Sequence, residues 1–172
     1  MLDERVTVGR VPVVAHYRWG YTVRGFVEDF HPRRRSFYMV PTRGRTAYTR
    51  VLVKLSDLKA LFFVKDLNTT RGTGANIPCR ELKPQSSARC VVVKFKDGEI
   101  LVGGTNAYSP DAPGFFLFPL DTTTNNGRVF VVRSAAQVIH ALVPGENLCR
   151  VIEELERRPA VSAGNRHAGR RA

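Results

Sequence analysis

Arginine and aromatic residues cluster in the N-terminal third of the chain, in a pattern typical of nucleic-acid binding. Arg33, Arg34 and Arg35 are consecutive, and guanidinium groups suit bidentate contacts to phosphate. Aromatic side chains interleaved with such cations can stack on unpaired bases. The pattern predicts a site for RNA or single-stranded nucleic acid. Its other predicted members are Arg43, Arg45, Tyr48, Arg50 and Trp19.

The net charge supports an anionic partner. The chain carries +12, and residues 1–64 hold 12 basic and 5 acidic side chains, whereas residues 89–142 hold 5 and 4. A strongly basic balance favours nucleic acid or anionic surfaces. A purely compositional excess of solvated surface arginine is the alternative interpretation.

Reactive groups do not converge in the sequence. The four histidines, His16, His31, His140 and His167, have no metal-ligand spacing, and no Ser or Cys lies in a nucleophile motif. Residues 71–74 (Arg-Gly-Thr-Gly) lack the Gly-Lys-Ser/Thr of a phosphate-binding loop. We therefore expect a non-catalytic protein without cofactor or metal.

The cysteines and the N-terminal residues indicate in which cellular compartment the protein is expected. Cys79, Cys90 and Cys149 form no Cys-x-x-Cys pair and leave an odd thiol, which predicts neither a disulfide framework nor a zinc site. The N-terminus lacks the order of a secretory signal, and no apolar run is long enough for a membrane helix. These features predict a cytoplasmic protein.

An internal repeat organises the chain. Residues 13–64 align without a gap on residues 91–142 at an offset of 78, with 12 identities in 52 positions. The identities fall on glycine, proline and strand valines, for example Gly25 over Gly103 and Pro41 over Pro119. We call residues 11–64 copy one and residues 89–142 copy two.

Each copy has the pattern of five short strands. Asp97-Gly98 is a two-residue hairpin signal, and Gly25 and Gly103 lie where a glycine marks a bend. Five bent strands in so few residues predict an all-β fold of two tandem small barrels. Residues 65–88 are the predicted linker, residues 145–158 the amphipathic helix, packed on copy two, and residues 159–172 a disordered basic tail.

These strands resemble the Sm-like family of SH3-type barrels. The resemblance rests on residues 91–98 (Val-Val-Val-Lys-Phe-Lys-Asp-Gly), on Gly103, and on residues 129–134 (Val-Phe-Val-Val-Arg-Ser). Residues 108–119 also resemble an uncharacterised bacterial domain family with two such units. The Sm-like resemblance implies RNA binding, with Arg133 stacking on a base, and oligomers formed through strand edges. The asparagine that holds the base in that family corresponds here to Gly114 and Ser36.

A second class of function stays open. A regulatory or adaptor module would bind a protein partner or, less favoured, a cyclic dinucleotide, as the arginine-bearing PilZ domains do. Nucleic-acid binding predicts a continuous positive face on copy one, whereas an adaptor predicts an exposed apolar patch.

Overall fold

Ten strands and one C-terminal helix make up the fold. A computed structural model describes residues 10–69, 78–84, 88–106 and 108–161. None of the helices in these ranges has the length and apolar character needed to cross a bilayer. Residues 71–74, which lack the phosphate-loop motif, and most of the predicted tail lie outside the described residues. The elements are β1 (Val11–Tyr17), β2 (Thr22–Val27), β3 (Ser36–Pro41), β4 (Val51–Lys54), β5 (Leu58–Val64), β6 (Arg89–Phe95), β7 (Ile100–Thr105), β8 (Gly114–Pro119), β9 (Asn126–Val132), β10 (Ala136–Ala141) and α1 (Leu148–Arg157).

All ten strands join one antiparallel sheet, in the order β10-β6-β7-β8-β9-β5-β1-β2-β3-β4. Each copy contributes five adjacent strands, ordered fifth, first, second, third and fourth. The fold is thus mainly β, but two separate closed barrels are not confirmed. The fifth strand of copy one pairs with the fourth strand of copy two, Leu61 opposite Phe130, and so joins the copies edge to edge.

The strand registers follow the 78-residue offset. Val13 pairs with Gly25 in copy one, and Val91 pairs with Gly103 in copy two. A Cβ atom on Gly103 would overlap the side chain of Leu117 and the carbonyl of Phe118. The glycine is therefore required by the close approach of β7 and β8.

One apolar core runs through both copies. Phe62, Phe130 and Val93 are fully buried within it, and Phe115 is 3% exposed. Phe118, in contrast, is 44% exposed, because alternate residues of a strand face opposite sides of the sheet. Phe118 therefore lies outside the core that Phe115 and Leu117 join.

Helix α1 covers a smaller apolar cluster on copy two. Asn147 caps its first turn by accepting a hydrogen bond from the Arg150 amide. Leu148, Val151 and Leu155 are buried on one stripe, packed with Cys90 and Val92 of β6. The predicted C-terminal helix is confirmed.

A buried lysine ties the end of α1 to the sheet. Lys94 is 2% exposed, and its Nζ donates to the Leu155 carbonyl at 2.6 Å and to the Arg158 carbonyl. The last carbonyls of a helix lack intrahelical donors and attract cations. Lys94 therefore donates hydrogen bonds to carbonyl groups at the C-terminal end of α1.

A disulfide joins Cys79 to Cys149, with Cα atoms 5.5 Å apart. The prediction of no disulfide is wrong. The two residues are 70 positions apart, so local spacing carries no sign of the pair. Packing of α1 against the short turn Cys79–Glu81 brings them together, and leaves Cys90 as a buried free thiol.

Candidate nucleic-acid interface

A polar groove lies under the β3–β4 loop, residues 42–50, on copy one. The loop is fastened to β2 because Thr42 donates to the Arg24 carbonyl through both its amide, at 3.0 Å, and its hydroxyl, at 3.2 Å. The groove has a volume of about 460 Å³. Its lining residues are Pro12, Arg24, Phe26, Thr42, Arg43, Tyr48, Lys65, Asp66, Leu67 and Asn68.

Three cations and one carboxylate line this groove. Arg24 is held in place by its bond to the Leu67 carbonyl at 2.5 Å, and Lys65 donates to the carbonyls of Thr122 and Thr124. Arg43 is exposed on the loop. The Asn68 amide and the Thr69 hydroxyl hydrogen-bond to Asp66 and lower the pKa of its carboxyl. The groove therefore carries a net positive charge at neutral pH.

Tyr48 presents an aromatic ring beside these cations. It is 81% exposed and has a φ of 60°, an unusual conformation for a bulky residue. The bond from its amide to the Pro41 carbonyl, 2.7 Å long, holds this backbone. The corresponding residue of copy two is Asn126. The repeated fold therefore does not require an aromatic side chain at this position.

Arg45 and Arg50, in the same loop, have different surroundings. The Arg50 guanidinium lies 3.9 Å from the centre of the Tyr38 ring and 3.9 Å from a carboxylate oxygen of Glu28. Arg50 is therefore engaged on the outer face of β3 and β4. Arg45 is exposed in the same loop as Arg43.

The three consecutive arginines occupy the β2–β3 loop, residues 28–35. All three are exposed, and Arg34 forms an ion pair with Asp29 at 3.7 Å. Arg33 lies on the rim of a second hollow, of about 450 Å³. That hollow is mostly apolar, and its walls include Tyr108, Phe115 and Phe118.

Trp19 belongs to a separate aromatic cluster at the β1–β2 turn. Trp19 and Tyr21 are 63% and 49% exposed, and Tyr17 stacks on Tyr21 with ring centres 4.4 Å apart. Burial raises the pKa of the Tyr17 hydroxyl. None of the three residues lines the groove.

Arg133 is used inside copy two. Its guanidinium donates to the carbonyls of Ala112 and Ser109 and to the Tyr108 hydroxyl, 2.8 Å away. The side chain thus supports the β7–β8 loop. A Cβ atom on Gly114 would overlap the Val131 carbonyl, so no base-holding side chain fits there.

His16 is half-buried on β1. Its ring lies 4.2 Å from that of Phe62, and burial, with the nearby Lys59 charge, lowers its pKa to about 4. Among the described residues, no three His, Cys, Asp or Glu side chains are grouped to hold a metal ion.

The predicted residues are therefore only partly brought together. Arg43 and Tyr48 share the groove, whereas Trp19 and Arg133 lie elsewhere. Sequence reasoning missed Arg24 and Lys65. In the sequence, only their positive charge marks them. Arg24 directly precedes Gly25 in β2, and Lys65 directly follows β5.

Residues 9–143 match the family of unknown function DUF6982. The chain belongs to this family. The match spans both copies and the segment between them. No curated protein and no solved structure matches the chain.

Proposed function

We propose that this member of DUF6982 binds single-stranded nucleic acid, RNA or DNA, in the copy-one groove. The observation that carries the proposal is the placement of the exposed Tyr48 ring beside Arg24, Arg43 and Lys65. Several cations along one groove suit contacts to the phosphates of a strand, and the ring offers a stacking surface for a base. Arg45, in the same loop, would extend the positive surface. Arg33, Arg34 and Arg35, at the opposite end of β3, would contact a longer strand.

The experiment is a salt titration with a labelled single strand of mixed sequence, as RNA and as DNA, measured by fluorescence anisotropy. Arg43→Gln should weaken binding to all sequences alike and flatten the log–log salt slope by about 0.7, the value for one lost phosphate contact on a single strand. Neutralising Arg33, Arg34 and Arg35 together should flatten the slope further.

Tyr48→Asn separates stacking from charge. Asparagine tolerates the left-handed backbone, so the loop should keep its shape while the ring is lost. Binding should weaken by about 1–3 kcal/mol with little change in salt slope.

Arg157→Gln is the matched control, since it removes one charge from an exposed position on α1 and should leave binding unchanged. Equal losses for Arg43→Gln and Arg157→Gln would contradict a localised site. A wild-type protein that binds neither RNA nor DNA at low salt would remove the proposal altogether.

The apolar hollow beside Arg33 favours a second candidate function, a protein adaptor. Its walls include partly exposed Tyr108 and Phe118, which are 41% and 44% exposed. Apolar surface of this kind marks sites for protein partners. The same titration decides between the two, because an adaptor without the groove function shows no binding to either strand.

A further inference from the structure

The contact between the two copies is built from a small set of residues. At its centre, β5 pairs with β9, and Phe30 of copy one packs against Phe116 and Phe130 of copy two, with ring centres 6.1 and 5.0 Å away. The Arg128 guanidinium lies 4.6 Å from the ring centres of both Phe63 and Phe116.

Polar contacts flank this junction. Lys59 of β5 is 6% exposed and forms ion pairs with Asp97, at 2.6 Å, and with Glu99. Arg18 donates to the Ser134 hydroxyl. The junction therefore joins the fifth strand of copy one to the fourth strand of copy two.

The sheet ends on the two complementary strands. The fourth strand of copy one, β4, and the fifth strand of copy two, β10, are its edges. The 78-residue offset maps β5 onto β10 and β9 onto β4. A second molecule can therefore repeat the junction by pairing its β4 with β10 of the first.

The three rings packed at the internal junction have exposed counterparts at the corresponding positions of the other copy. The residues that correspond to Phe116 and Phe130 are Tyr38 and Leu52, which are 38% and 55% exposed. Phe30 corresponds to Tyr108, which is 41% exposed. Each ring packed at the internal junction thus has a large counterpart that is at least 38% exposed.

Other parts of the junction have counterparts as well. Arg50 lies on Tyr38 as Arg128 lies on Phe116. Asp97 and Glu99, the partners of Lys59, correspond to Trp19 and Tyr21. Lys59 itself corresponds to Gln137, whose Oε1 is buried with no hydrogen-bond partner in the described part of the chain. The ion pairs of Lys59 at the internal junction thus correspond, in the other copy, to the amide of Gln137 and the exposed rings of Trp19 and Tyr21.

We propose that the chain self-associates head to tail, with β10 of one molecule pairing antiparallel with β4 of the next. The internal register, Leu61 opposite Phe130 and Phe62 opposite Val129, transfers to Ile139 opposite Leu52 and His140 opposite Val51. Tyr108 then packs on Tyr38 of the neighbour. The contact is heterologous, so it generates a ring or an open chain, and it does not depend on nucleic-acid binding.

The first test is sedimentation velocity of the full-length protein over a concentration series, without nucleic acid. The wild type should shift from monomer towards dimer and larger species as concentration rises. Leu52→Arg places a charge at the centre of the contact and should raise the midpoint concentration at least about tenfold, equivalent to 1.4 kcal/mol. Val11→Arg, at a site 38% exposed on β1, which lies between β5 and β2 inside the sheet, is the matched control and should associate like the wild type.

The second test fixes the register by cross-linking. Leu52→Cys and Ile139→Cys are prepared as separate proteins, mixed and oxidised, because opposite residues of antiparallel strands lie within disulfide reach. The mixture should yield a covalent heterodimer, whereas Leu52→Cys mixed with Ala136→Cys should not. A wild type that stays monomeric at its highest soluble concentration, or equal cross-linking in both mixtures, would overturn the proposal.

Discussion

Acid should destabilise the protein through His16. The His16 ring packs on Phe62, and burial is the largest cause of its lowered pKa, followed by the Lys59 charge, while Asp97 opposes the shift. The folded protein keeps this ring neutral down to about pH 4, whereas the unfolded chain protonates it near 6.5. The unfolded state binds more protons below pH 6.5, so the free energy of unfolding falls as pH decreases through that window.

The size of the effect follows from the two pKa values, 6.5 and about 4. At about 1.4 kcal/mol per pH unit, the full loss is about 3 kcal/mol, and most of it is complete by pH 4.5. The measurement is urea unfolding of the wild type and of His16→Gln at pH 7.5 and 4.5. Because every other titrating group is common to both proteins, the difference between their losses isolates His16.

The wild type should lose about 2–3 kcal/mol more than His16→Gln between these pH values. Equal losses would refute the reasoning, since they would mean that the His16 ring reaches water in the folded state. A one-dimensional NMR titration of the His16 ring protons checks the folded pKa directly.

Two further predictions concern the core and the disulfide. Phe115→Ala should lower the free energy of unfolding by about 3–5 kcal/mol, while Phe118→Ala, at a site 44% exposed, should have a much smaller effect; similar losses in thermal melts would contradict the assignment of the strand faces. Unfolded, unreduced protein should show one reactive thiol, Cys90, and three would exclude the pair Cys79–Cys149. Reduction should destabilise the fold by up to about 4 kcal/mol, the loop-closure value for a separation of this length, measured as a lower melting temperature in the presence of a dithiol.

The strands and the helix could be predicted from local signals. Alternating valines, the Asp97-Gly98 turn and the spacing of Leu148, Val151 and Leu155 each report on neighbouring residues in the chain. The repeat could be detected because glycine and proline recur at one offset. These signals come from the backbone and from short-range packing, so a single sequence carries them.

The candidate site was only partly predictable. Arg43 and Tyr48 lie in one loop, so their proximity follows from the chain itself. Arg24 and Lys65 join them through the pairing of β1 with β2 and β5, which no local pattern encodes. The Sm-like resemblance implies that Arg133 stacks on a base, but the loop that this side chain supports takes up its hydrogen bonds.

The sequence by itself determined which segments become strands, where they turn, and that the two copies share one pattern. Only the tertiary structure decided that the copies join in a single open sheet instead of closing separately. The physical reason is that pairing with β1 leaves the second edge of β5 without a partner strand. A strand of either copy could pair with that edge, and the hydrophobic pattern alone does not distinguish the two arrangements. The pairing of Leu61 with Phe130, the burial of Lys59 beside Asp97, and the union of Cys79 with Cys149 all depend on contacts between residues far apart in the chain.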